Sequence, residues 1–379
     1  MSMFSMARTD GPTPRPPYYY DIDGLLTIES AVRLPELAFF RVLKAHNPDL
    51  IIEIKGPRRP HLRTFAVIHP PSARLRYREQ IGDIGANFDI YIGTPIRVVV
   101  TRLLAISPHV LYTNIIEALL RFILLSKDHM LLHAACLGLE GQGVLMSAKT
   151  DTGKTSTLLR LLRDETDGVF YSDDMTIIDA NGTARRYPKP LTISAHTVNA
   201  LQINRLTRPQ RAALAVQSRL HSRSGRNVGK RIAQSPLPIM GINSVVQAAI
   251  PPPKYMVTDL IDCRIGDHTP IDRLFVIARG EPCVETLEHA EIVEQLLENT
   301  EDAYGFPPYQ QLAPLIAVGG VPNDALRLRE REILAAAMRG VPCERITMPD
   351  FSWPTVVRER LARAMEVAGV DSTKVAQAV

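Results

Sequence analysis

The stretch Gly143-Val144-Leu145-Met146-Ser147-Ala148-Lys149-Thr150-Asp151-Thr152-Gly153-Lys154-Thr155-Ser156-Thr157-Leu158-Leu159-Arg160-Leu161-Leu162-Arg163 decides how this chain is read. Its opening, Gly143 to Ser147, is short and apolar, as a buried strand is. Ala148 to Thr152 is polar and loop-like. From Gly153 the leucines recur at helical spacing, which predicts a helix over 153–163. Val169-Phe170-Tyr171 follows as a second strand and ends at Ser172-Asp173-Asp174. Strand, loop, helix and strand predict a βαβ unit and a parallel sheet.

The loop nearly fits the spacing G-x-x-x-x-G-K-[ST], with Ala148 in the first position. Such a loop turns successive backbone N–H groups toward a phosphate, and the helix behind it adds its positive end. Gly153 supplies backbone freedom, Lys154 a mobile point charge, and Thr155 a hydroxyl for Mg²⁺. The residues expected to hold a nucleotide are Ala148, Lys149, Thr150, Asp151, Thr152, Gly153, Lys154, Thr155 and Ser156. A bare Gly-Lys-Ser/Thr arises by accident in roughly one chain in five of this length. The strand before it and the helix after it are what give the motif weight.

The acid pair Asp173-Asp174 is the second element. In a parallel unit both strand ends emerge on one edge of the sheet, so the acids are expected beside the loop. Neighbours on a strand point in opposite directions, which allows one carboxylate to serve Mg²⁺ and the other to accept a proton. Two adjacent acids at a strand end also suit a solvated turn, and the phosphate loop tips the balance. His133 closes an apolar run, Met130-Leu131-Leu132, and taken singly it reads as a packed, hydrogen-bonded histidine. No H-E-x-x-H spacing or C-x-x-C pair points to zinc, and the four cysteines lie far apart.

Working outward, residues 1–17 read as a disordered tail. Residues 18–111 carry short apolar runs between turn signals, at 50–54, 64–68, 88–92 and 96–100, and form a strand-rich N-terminal domain. Residues 113–126 have a broad apolar stripe at helical spacing, with Thr113 or Asn114 as its cap. The core domain is expected over 112–287. Residues 288–379 read as mainly helical. The 379 residues include 44 Lys+Arg and 40 Asp+Glu, a net charge of +4, with 45% hydrophobic residues. That composition is globular. The charge is too small to imply nucleic acid. No apolar run reaches the roughly 18–20 residues of a membrane span, and no secretory leader is visible, so the cytoplasm is the default compartment. A basic segment around Arg219, Arg223, Arg226, Lys230 and Arg231 lacks the aromatic residues of a nucleic-acid surface. Its Arg223 and Arg226 are candidates to close on a triphosphate, and a solvated loop fits the segment equally well.

Leu132-His133-Ala134-Ala135, the Gly143–Ala148 run, Thr152-Gly153-Lys154-Thr155 and Tyr171-Ser172-Asp173-Asp174 together resemble HPr kinase/phosphorylase. The resemblance covers about 130–195, including Tyr187-Pro188-Lys189-Pro190-Leu191, and fades through Leu274–Gly280. It implies a P-loop kinase core of the phosphoenolpyruvate-carboxykinase type. Lys154 would then bind ATP or GTP phosphates. Thr155 and Asp174 would bind Mg²⁺, Asp173 would be the catalytic base, and His133 would lie near the transferred group. Homo-oligomers, common among such proteins, are a further expectation. The expected function is phosphoryl transfer to a hydroxyl of a small molecule or peptide. The rival readings are a nucleotide-gated interaction protein with slow NTPase activity and a carboxykinase-like decarboxylating enzyme.

Overall fold

The structure is a computed structural model and describes residues 16–55, 74–81, 84–149, 152–203, 205–212, 214, 239–302 and 307–376. Most of the expected tail, the expected strand at 64–68, Thr150, Asp151, Arg223 and Arg226 lie outside the described residues. The fold is mixed α/β, with two seven-stranded sheets.

The N-terminal sheet runs in the order Arg41–Val42, Tyr18–Ile22, Leu26–Ser30, Leu50–Ile54, Ile96–Val100, Phe88–Tyr91, Arg74–Tyr77. Leu26–Ser30 and Arg74–Tyr77 alternate buried and half-buried residues, because one face packs inward. The inward side chains join the helix Glu117–Leu125 in one hydrophobic core. All nine residues of that helix are buried. The helical run starts at Pro108, earlier than the expected 113, since proline suits a first turn. Thr113 and Asn114 therefore lie inside the run and do not cap it. Their side chains donate back to the carbonyls of His109 (2.8 Å) and Val110 (2.9 Å). Pro108–Leu125 is also long and apolar enough to cross a membrane, contrary to expectation, although 78% of it is buried within the protein.

The central sheet runs Arg264–Ile265, Val169–Ser172, Ala135–Leu139, Gln142–Ala148, Arg273–Arg279, Cys343–Met348, Cys283–Thr286. It is mixed, which corrects the expected parallel sheet. Ala135–Leu139 pairs antiparallel with both Gln142–Ala148 and Val169–Ser172. Those two strands therefore point the same way with one strand between them. The cause is a two-residue hairpin turn at Glu140-Gly141, with φ of 50° and 73°. The helix Lys154–Arg163 follows the loop and buries Leu158, Leu159, Leu161 and Leu162.

The C-terminal region carries the helices His289–Asp302, Asn323–Ala337 and Trp353–Ala376. It also supplies an unexpected strand, Cys343–Met348, parallel to Arg273–Arg279 in the sheet. Buried Arg121 forks onto Glu330 at 2.7 and 2.8 Å, tying Glu117–Leu125 to Asn323–Ala337.

Candidate functional site

Gln142–Ala148, Val169–Ser172, Arg273–Arg279 and Cys343–Met348 all end on one edge of the central sheet. A cavity of about 1380 Å³ opens there. Ala148, Lys149, Thr152, Gly153, Lys154, Thr155, Ser156, His133, Asp173 and Asp174 all line it. The residues picked from 133 to 174 thus meet at one place, wherever the structure describes them.

The loop is tied locally. Thr152 bonds to the Lys149 carbonyl through its N–H (3.2 Å) and its hydroxyl (2.7 Å). Gly153 has φ of 127°, a conformation L side chains rarely adopt. Lys154 begins the helix. Its ammonium stands 3.8 Å from Asp174 Oδ1 and 3.5 Å from the Asp174 carbonyl. Burial lowers the pKa of Lys154 against the pull of both acids.

The two acids have different surroundings. The Thr155 hydroxyl donates to Asp173 Oδ2 at 2.9 Å. Asp173 Oδ1 is buried without a hydrogen-bond partner. Burial pushes the Asp173 carboxyl up to about 6, with Lys154 opposing. Asp174 meets the basic side chains instead: His133 Nε2 lies 3.2 Å from Oδ1, and Lys189 Nζ donates to Oδ2 at 3.1 Å. Enclosure works to raise the Asp174 pKa, but Lys189, His133 and Lys154 hold it well below the usual carboxylate range. His133 is oriented from behind, its Nδ1–H donating to the Asn299 carbonyl at 2.8 Å.

Several wall residues escaped the sequence reading. Lys189 bridges Asp174 and Glu117, with Glu117 Oε1 at 2.5 Å. Burial opposes its charge, yet these two acids raise its pKa. Lys189 lay inside the quoted Tyr-Pro-Lys-Pro-Leu run, but without a role. Glu117 is the one acid in an apolar helical stripe, a signal that could have been followed. Tyr112 donates to Glu117 at 3.1 Å and meets the Tyr187 hydroxyl at 2.5 Å. Glu36, His109 and Lys254 form a further wall cluster, and Arg279 and Phe351 stand by the loop.

Among the described residues no group of three or more His, Cys, Asp or Glu is arranged to hold a metal ion. Mg²⁺ needs less from a protein than that, because it keeps water and phosphate oxygens as ligands. The Thr155 hydroxyl and the anionic Asp174 are hard oxygen donors that fit it, and the buried, unpartnered Asp173 Oδ1 lies beside them.

No family model matches this chain, and no curated protein matches it. Among solved structures it is similar to an HPr(Ser) kinase/phosphatase from Coxiella burnetii, at 9% identity and a TM-score of 0.26. The match covers 63% of this chain and 97% of that one.

Proposed function

We propose that the chain is an HPr-kinase-like phosphotransferase. It takes the γ-phosphoryl group of ATP or GTP, with Mg²⁺, and passes it to a hydroxyl of a small molecule or peptide. The observation that carries this reading is the meeting of Lys154, Thr155, Asp173 and Asp174 around one cavity at the end of the loop strand. A P-loop arrangement of 148–156 is part of the same proposal.

The unequal acids support a division of labour. Burial pushes the Asp173 carboxyl up to about 6, so it is mostly ionised at pH 7 and still basic enough to accept a proton. Its Oδ1, which no other group engages, is the atom to receive the proton of the acceptor hydroxyl. Asp174 stays anionic and is too weak a base for that task. It suits metal binding and fixes Lys189 and His133 beside the reacting group. Mg²⁺ would be held by Thr155 and Asp174, and when bound it would neutralise charge on the β- and γ-phosphates. Lys154 would hold the same oxygens as the γ-group moves in line toward the hydroxyl.

Incubation with ATP labelled at its γ-phosphate, alone and with pooled hydroxyl compounds and Ser/Thr peptides, tests this reading. Label on a third molecule supports transfer. Release of free phosphate alone, with every acceptor, favours the slow NTPase and sinks the kinase.

A further inference from the structure

The order of strands gives the cavity a direction. Val169–Ser172, which leads into the acid pair, lies on one side of Gln142–Ala148. Arg273–Arg279 and Cys343–Met348 lie on the other side. Arg279 ends the first of these strands, and Phe351 follows the second by three residues. Both line the cavity.

Phe351 is 46% exposed, although it sits against the loop: a Cβ on Gly153 would come within 2.7 Å of its ring. The Arg279 guanidinium lies over the Phe351 ring, 4.1 Å from its centroid. Trp353 meets Phe351 edge-on, with centroids 5.6 Å apart and planes at 85°. The parts are pinned. Trp353 Nε1 donates to the carbonyls of Ala278 (3.2 Å) and Ile346 (3.1 Å), and Arg279 donates to the Pro349 carbonyl at 3.0 Å. An aromatic ring and a guanidinium, pre-set and half open to a polar cavity, form a surface for a flat ring.

If the loop holds a polyphosphate whose reacting end faces the acid pair, the far end of the chain leaves toward Arg279 and Phe351. We infer that Phe351 and Arg279 form the stacking platform for the base of a nucleoside triphosphate. The platform rests on the phosphate-loop reading and adds to it the residues that would tell a nucleotide donor from an inorganic polyphosphate. Stacking tolerates any base, so both ATP and GTP fit it.

Calorimetric titration with Mg–ATP and, separately, Mg–tripolyphosphate tests the platform. The unaltered protein binds ATP more tightly. Phe351→Ala weakens ATP binding about tenfold and leaves tripolyphosphate within about twofold. Phe351→Tyr keeps the ring and restores ATP binding. Equal loss for both ligands in Phe351→Ala means that the ring only props the loop at Gly153, and overturns the platform. So does unchanged ATP affinity in that variant, or equal binding of the two ligands by the unaltered protein. If the unaltered protein binds neither ligand, the phosphate-loop reading itself falls and takes the platform with it.

Discussion

Asp173 and Asp174 share a side chain and differ in company. Asp174 is surrounded by Lys154, Lys189 and His133, while Asp173 has Thr155 and one unpartnered oxygen. The consequence can be read in stability as well as in activity. The folded-state pKa of Asp173, about 6, stands above the ordinary 3.8, so between those values the folded protein binds the proton more tightly than the unfolded chain. The stability from this group is present at low pH and is lost as pH rises through about 6. Asp173→Asn keeps an acceptor for Thr155 and removes the ionisation. It should raise stability by about 1–2 kcal/mol near pH 7.5, with little gain near pH 4, in denaturant melts at the two pH values. The same variant should lose transfer by ~10²–10⁴ while binding nucleotide normally. A variant that is neither more stable near pH 7.5 nor slower leaves Asp173 without the role of base. Lys154→Ala separates binding from chemistry. The rise in melting temperature that Mg–ATP produces should vanish in it, and a rise of full size would mean that the loop does not hold phosphate.

The junction of loop and helix is where element and residue meet. Gly153 combines φ of 127° with a clash for any side chain, since a Cβ would stand 2.7 Å from Phe351. Gly153→Ala should cost about 1–3 kcal/mol in denaturant unfolding. Adding Phe351→Ala removes the clash and leaves the backbone strain, so a double-mutant cycle should recover only part of the loss. Full recovery would show that the dihedral carries no strain. The elements that sequence resolves are those with a local period: Gln142–Ala148, Lys154–Arg163 and Val169–Ser172 all lie where they were expected. What it hides is pairing. Ala135–Leu139 entered the sheet between two expected neighbours because the tight turn at Glu140-Gly141 folds it back. Cys343–Met348 was missed because only Cys343 and Ile346 are buried in it. Arg345, which breaks its apolar pattern, is neutralised across the surface by Glu285 and Glu291. The site divides in the same way. Lys154, Thr155, Asp173 and Asp174 follow one motif, whereas Lys189 and Glu117 are 72 residues apart and meet only in the folded chain.

At the scale of the molecule, one cavity wall joins distant parts of the chain. Glu36 lies in the turn Pro35–Phe40, His109 in Pro108–Leu111 and Lys254 in Lys254–Tyr255. The Glu36 side chain is 2% exposed. Its Oε1 accepts a hydrogen bond from Lys254 and lies 2.7 Å from His109 Nδ1. Burial would raise the Glu36 pKa, but His109 and Lys254 together bring it down from 4.5 to about 2. A depressed carboxylate stabilises the fold above its unfolded pKa, so this contribution is whole above about pH 4.5 and disappears as pH falls through about 2. A shift of this size corresponds to about 3 kcal/mol. Lys254→Met removes the ammonium and leaves the buried acid. It should lower stability at pH 7 by about 2–4 kcal/mol and flatten the loss between pH 4.5 and 2. Adding Glu36→Gln takes away the stranded charge, so the double variant should regain most of what the single one lost. If Lys254→Met unfolds at the same denaturant concentration as the parent at pH 7, the cluster does not anchor Glu36 to the cavity. The N-terminal sheet would then be held against the rest of the chain by its apolar core and by other ion pairs, Arg186 with Asp23 and Lys127 with Asp49.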